Sequence, residues 1–437
     1  MNISLRYGLH PLRSGASSVT AMAFASLVLA VATASGGDEP ANSNAMVDVT
    51  THLPDPHVRD GSVCYQPQLQ AAMDVAEEMG RNVVFPPMTY LLDDPAGLQV
   101  HSGLTLELRG ARFVWTEEIE ADGQTFVGED VHDVTFVGGE IVGRNDVWKS
   151  GVNVRGVYLT GTCERIRVQD MHVRDLTSNG VGIFGVDGET PPRDIWVVDT
   201  IIDNCCNVYG DYQAPKGELH GPEKGSARED QGSVAFYYVE DFVVRGCRFS
   251  RSRSDGTHFY HCTNGHFSDN RVDRSKMGGY FLEGCEHVLA TNCVIRNNGS
   301  RGVTIERGSE ACTLVGCTIE GSGREGLWIP DSRRCVITDN LFRLNGRKPN
   351  NIEPRRIWNA NITVNEAGHD PSGSPTEHYL IADNIIETDA SQIAAILVET
   401  KDDLSNIVIR DNVLLGENRE ILIEGEFAER VHVSGHE

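Results

Sequence analysis

Between Asp255 and Glu306 the chain places an imidazole, a phenol, carboxylates and cations at recurring intervals. His258 and Tyr260 are two apart in Thr257-His-Phe-Tyr, Glu283 follows Tyr260 by 23 residues, and Glu306 follows Glu283 by 23. Asp255 and Arg301 stand just before copies of the same short segment, and Asp230, Arg253 and Lys276 lie further back in the preceding turns. Two chemistries fit this set. Removing a proton α to a uronate carboxylate needs a cation to neutralise that carboxylate, a base and an acid. Lys276, Arg253 or Arg301 would neutralise, His258 and Tyr260 would be base and acid in either order, and Asp255 would orient His258. Glycoside hydrolysis needs two carboxylates instead. Glu283 with Glu306 would suit the separation of about 5–5.5 Å used in retention, and Asp255 with either would suit the roughly 6.5–9.5 Å of inversion. Tyr237, Phe281 and Trp328 offer aromatic surface to a sugar under both, with Asp230 as a further polar contact.

These residues share a surface only if the elements carrying them are stacked in register, and the sequence says that they are. Glu240–Cys262, Thr263–Cys285, Glu286–Gly308 and Ser309–Ser332 align as four copies of one unit. A Cys or Asn column runs through Cys247, Asn270, Cys293, Cys317 and Asn340 in steps of 23, 23, 24 and 23, and resumes at Asn384 and Asn412. A fixed period of this size marks a solenoid, and the short apolar alternations make it a stack of β-coils. Alternation turns Thr257, Phe259, Tyr280, Leu282, Val303, Ile305, Leu327 and Ile329 inward. One outward column then holds Ala235, His258, Phe281, Thr304 and Trp328, and the next Tyr237, Tyr260, Glu283 and Glu306. Adjacent coils lie about 4.8 Å apart, so Glu283 and Glu306 repel unless a proton or a cation intervenes. Arg301 and Lys276 are the expected cations.

A chain of 437 residues usually divides into domains, but a solenoid lengthens without thickening its core, so one elongated domain is expected. The 45 glycines suit many tight turns. Thirty-eight basic against 63 acidic residues leave a net charge of −25, which argues against a nucleic-acid partner. Calcium is a candidate cofactor on the same ground. Residues 1–34 read as an export signal: Arg6 and Arg13, an apolar run over Val19–Val31, then Ala32-Thr33-Ala34. This predicts a secreted or periplasmic protein with no membrane attachment after cleavage. Residues 35–60 read as a linker, 61–98 as an N-terminal cap and 99–437 as the solenoid. The 11 cysteines fall in shared columns rather than pairs, so mostly buried thiols are expected.

Tyr65–Gly80 is the one clear helix, with Leu69, Ala72, Met73 and Ala76 on one face and Gly80 as its stop. An apolar strand, Pro86-Pro87 and a Tyr90 strand follow. This helix–strand–Pro-Pro–strand opening resembles the start of right-handed parallel β-helix proteins of the pectate-lyase-like superfamily, which includes polygalacturonases and phage tailspikes. The resemblance implies an all-β right-handed parallel β-helix of about ten coils, capped by that helix. It implies Asn in the left-handed turn between the second and third sheets, a first sheet that floors a substrate groove, and a polysaccharide partner. Activity stays open among lyase, C5-epimerase, hydrolase and adhesin. Ser254-Asp-Gly-Thr-His-Phe-Tyr-His261 is similar to catalytic coils of polygalacturonases and alginate epimerases, but the polygalacturonase double Asp is replaced by Lys276-Met-Gly-Gly. Long polar insertions at Asn207–Glu229 and Asn345–Asn361, and a shorter one at Gly368–Glu377, are expected to be functional loops.

Overall fold

The computed structural model describes residues 46–149, 152–207, 231–346, 359–366, 373–400 and 404–436. The export segment at 1–34 and most of the three insertions lie outside these residues. Three parallel sheets run through the described residues. The first, of twelve strands, extends from Leu98–Gln99 to Ile421–Gly425. The second, of fourteen, extends from Val47–Asp48 to Val431–Ser434, and the third, of thirteen, from Asp60–Cys64 to Val413–Gly416. One rung contributes a strand to each, as in Thr257–Tyr260, Thr263–Ser268 and Arg271–Asp273. The described rungs therefore exceed the ten anticipated. Pairing also begins at Val47 rather than near residue 99, so the second half of the expected linker is already solenoid.

Alternation sorts the first-sheet side chains as its pattern demands. Phe259, Tyr280, Leu282, Val303, Ile305, Leu327 and Ile329 are buried in one continuous apolar core. Each fully buried side chain of this size stabilises the fold by about 1.5–3 kcal/mol. The helix Gln66–Glu78 closes the N-terminal end with Leu69, Ala72, Met73 and Ala76 fully buried. Gln66, also buried, anchors it by donating from Nε2 to the carbonyls of Asp94 (2.9 Å) and Gly97 (3.1 Å). Ten of the eleven cysteines are buried as thiols, half-apolar fillers of the core.

The Asn column forms a ladder between the second and third sheets, with one physical difference from expectation. Asn340 donates from Nδ2 to Asn384 Oδ1 (3.0 Å), and Asn384 Nδ2 to Asn412 Oδ1 (2.9 Å). The left-handed backbone belongs not to the asparagines but to the residues before them, among them Asp269 (φ 57°), Asp339 (φ 57°), Asp383 (φ 57°) and Asp411 (φ 54°). The preceding Asp makes the turn, so the buried Asn keeps an ordinary backbone and points its amide along the stack. A second ladder, at the turn before the first sheet, follows the same period through Ser275, Asn298, Ser322 and Asn345: Asn298 Oδ1 accepts from Ser275 N (3.0 Å) and Asn345 Oδ1 from Ser322 N (2.9 Å).

Candidate active site

The register brings the chemistry-bearing residues together. Tyr237 pairs with Tyr260, Tyr260 with Glu283, and Glu283 with Glu306, each one rung apart. Ala235 pairs with His258, and Phe281 with Thr304 and then Trp328. Their neighbours Phe236, Phe259, Leu282 and Ile305 face the core, so this set lies on the outer face. There Phe184, Ala235, Tyr237, Tyr238 and Tyr260 pack into an apolar cluster separate from the interior. The expected open groove floor needs correction, however. His258 is 0% exposed, Tyr260 1%, Glu283 1%, Glu306 4% and Asp255 4%. These residues are outside the core yet shielded from water.

His258 is the hub. Its Nε2 lies 3.1 Å from Glu283 Oε2, and its Nδ1 lies 3.5 Å from the Tyr237 hydroxyl, at the long end for a hydrogen bond. The Phe281 ring stacks on the imidazole at 4.7 Å and 19°. An acceptor carboxylate at Nε2 places the proton there and leaves the Nδ1 lone pair for the phenol. Glu283 is clamped from its other side by Arg307 Nη1, whose Nε also lies 3.7 Å from Glu306 Oε1. Burial pushes the Glu283 carboxyl up, but the hydrogen bond from His258 and the charge of Arg307 prevail and hold it below its ordinary value.

Several expected roles change hands. Glu283, not Asp255, orients His258. Asp255 is held one turn earlier, accepting from Gln231 Nε2 and from the Gly278 amide, both at 2.6 Å. Its pKa is raised because burial outweighs those bonds and the charge of Arg301. Tyr237 rather than Tyr260 is the phenol at His258. The Tyr260 ring centre is 6.3 Å from the imidazole and packs against Tyr237 (5.0 Å) and His261 (4.3 Å). The cation between the stacked glutamates is Arg307, not Arg301 or Lys276. Arg301 reaches the next rung instead, with Nε 3.7 Å from Glu325 Oε2 and its guanidinium 3.6 Å above the Trp328 ring. That covers one face of Trp328, whose Nε1 donates to Asn365 Oδ1 (2.7 Å), so Trp328 is not an open sugar platform. Arg253 is spent on the carbonyl of Asn145 (2.9 Å) and is not at the hub. Lys276 is exposed, and its ammonium has no ion pair among the described residues. Asp230 lies outside those residues.

Arg307 carried a signal that alternation hides. It directly follows Glu306 and occupies a left-handed turn position (φ 54°) shared by Tyr238, His261 and Gly284 on earlier rungs. A residue there belongs to neither strand face, and its side chain can fold back over the sheet edge. Gly284, on the rung of Glu283, presents no side chain in its way. Among the described residues no group of three or more His, Cys, Asp or Glu side chains is arranged to hold a metal ion. Among the same residues no helix is long and apolar enough to cross a membrane.

Comparison with known proteins agrees with this architecture. A family model for the right handed beta helix region matches residues 155–342. The A-module of the Azotobacter vinelandii mannuronan C-5 epimerase AlgE4 superposes with a TM-score of 0.61 at 16% identity, over 89% of this chain and 100% of that one. A tailspike of E. coli bacteriophage HK620 in complex with a pentasaccharide gives 0.59 at 13% identity, over 87% and 67%. PfbA, a surface adhesin of Streptococcus pneumoniae, gives 0.54 at 13%, over 90% and 92%. No curated protein sequence matches the chain. At such identities the likeness extends to the fold alone: the chain is a right-handed parallel β-helix protein, with no single functional family selected among its structural relatives.

Proposed function

We propose that this protein acts on a uronate-containing extracellular polysaccharide by proton transfer at C5, as a lyase or a C5-epimerase. The observation that carries the reading is the line Tyr237–His258–Glu283–Arg307, in which a buried carboxylate fixes the imidazole and the imidazole faces a phenol. Tyr237 passes its proton to His258 Nδ1, the resulting imidazolium rests against Glu283, and the phenolate takes the C5 proton. The electron pair left on C5 is delocalised into the uronate carboxylate. Lys276, exposed and uncommitted among the described residues, is the cation for that carboxylate. In a lyase the pair then expels the C4 oxygen, which takes the proton now on Tyr237, and His258 returns its extra proton to the phenolate; in an epimerase a water gives a proton to the opposite face of C5, and the hydroxide left takes the extra proton of His258.

Hydrolysis fits less well. Glu283 is held ionised and cannot serve as acid, and Arg307 bridges it to Glu306, which leaves Asp255, whose pKa burial raises, as the remaining candidate acid of the three. The similarity in fold to an epimerase of mannuronan and to a tailspike bound to a pentasaccharide supports a glycan as partner. Residues 1–34 support export, which N-terminal sequencing of the mature protein would check. A second reading, glycan binding without reaction, is favoured by the burial of His258 and Tyr260. Incubation with alginate and polygalacturonate separates these. Near-ultraviolet absorbance marks a lyase, altered uronate stereochemistry by NMR at constant chain length an epimerase, and new reducing ends without absorbance a hydrolase. Binding to either polymer with none of these changes, and no effect of His258→Ala on binding, would leave only the second reading.

A further inference from the structure

The outer face of the second sheet carries an aromatic slot that the proposed chemistry does not use. Trp196 is 36% exposed, the one exposed tryptophan among the described residues. It pairs in register with Val243, which pairs with His266. A small side chain thus lies between two flat rings, two rungs apart, or about 9.6 Å. The cleft so formed measures about 400 Å³, within the usual range of roughly 300–1,000 Å³ for small-ligand sites. Its far wall is rigid. Arg167 stacks on the opposite face of the indole at 4.7 Å, and is itself pinned by Asp194, donating from Nη2 to the carboxylate (2.7 Å) and from Nη1 to the carbonyl (2.6 Å). Asp241 and Asn264 line the same cleft, and among the described residues neither side chain has a hydrogen bond or ion pair.

We infer that this slot is a second glycan-binding site, separate from the first-sheet cluster, and that it takes a neutral pyranose unit. Two ring contacts at about 4.5 Å each fill the spacing between indole and imidazole, so one non-planar sugar ring fits over Val243. Asp241 and Asn264 then accept and donate to its hydroxyls. The charge selects against a uronate: Arg167 is consumed by Asp194, and the remaining carboxylate of Asp241 repels a second one. A site of this kind would hold the enzyme on a mixed polymer without touching the reacting sugar. It does not depend on the C5 chemistry, because it lies on a different sheet.

Affinity electrophoresis in native gels tests it. Gels carrying a neutral β-glucan, a galactomannan, alginate or polygalacturonate are run with the parent chain, Trp196→Ala, Val243→Phe and His258→Ala. The expected result is retardation by a neutral polymer that weakens about tenfold in Trp196→Ala, the ratio for the loss of one good stacking contact. Val243→Phe, which keeps Trp196 but fills the slot, weakens it equally, while His258→Ala leaves it unchanged. No retardation by either neutral polymer, or retardation that both slot variants leave intact, overturns the inference. A concentration-dependent mass in the ultracentrifuge that Trp196→Ala abolishes would show a second copy of the chain in the slot and overturn it too. If the neutral-polymer retardation persists while no uronate product is ever formed, the slot stands and the first-sheet reading falls.

Discussion

Replacing Arg307 by Ala isolates the electrostatic design of the first-sheet cluster. Glu283 and Glu306 occupy adjacent rungs about 4.8 Å apart, both nearly unexposed, and Arg307 touches both. At an effective dielectric constant of about 20, two charges at that spacing repel by about 3.5 kcal/mol. Breaking a buried pair by removing one partner costs about 3–5 kcal/mol, which agrees. The entropy of unfolding for the Asn44–Glu437 unit, at about 2.1 cal/mol/K per residue, is about 0.8 kcal/mol/K. The melting temperature at pH 7 should therefore fall by about 4–6 °C. The sign with pH follows from the carboxyls. In the parent, Glu283 is held below its ordinary 4.5, so its contribution is present above that value and lost as the pH falls through the lower folded value. In Arg307→Ala the uncompensated carboxyls titrate higher, so their penalty is felt above the raised value and relieved below it. The gap between parent and variant should shrink markedly at pH 4, and Arg307→Ala combined with Glu306→Gln should recover part of the loss at pH 7. Calorimetry across pH 4–8 measures this. A gap that is equal at both ends, or unaffected by Glu306→Gln, would show that Arg307 acts by packing and would refute the charge argument.

Tyr237→Phe keeps the ring packing against Phe184 and Tyr260 but removes the hydroxyl at His258; on an acidic glycan, kcat should fall by about 10²–10⁴ with KM little changed, as progress curves would show. Asn340→Ala should cost about 2–4 kcal/mol in thermal melts, since it strands the Cys317 amide and the Leu314 carbonyl inside the stack, while Asn384 Oδ1 keeps the backbone amide of residue 340. Asn340→Cys should cost less, because Cys already fills that column at Cys293 and Cys317, where Cys317 Sγ accepts from the Cys293 amide (3.4 Å). Burial pushes the thiols of Cys163 up to about 11 and Cys247 up to about 12, and the partly exposed Cys64 also up to about 11. With ten of the thiols buried and that of Cys64 pushed up, iodoacetamide at pH 8 should label essentially none of the 11 in the native chain and all of them after denaturation, as mass spectrometry would count.

Periodicity is a local property of the chain, and what it implies was legible without coordinates. The column spacing placed His258, Tyr260, Glu283 and Glu306 on one outer face, and alternation sent Phe259, Leu282 and Ile305 to the core, because strand geometry and a constant rung length leave no other register. The buried face of the capping helix was equally open to inspection, since it depends only on a 3.6-residue repeat. Turn residues and long side chains were decided by the assembled structure. Arg307 sits at a left-handed turn position that strand alternation does not describe, and its guanidinium reaches across a rung to Glu283. Arg301 meets Glu325 and Trp328, and Asp255 the Gly278 amide, because the reach of a side chain between rungs is set in three dimensions. Burial too is collective: whether an outward column is a wet groove floor or a shielded cluster depends on what packs over it, and no spacing along the chain encodes that.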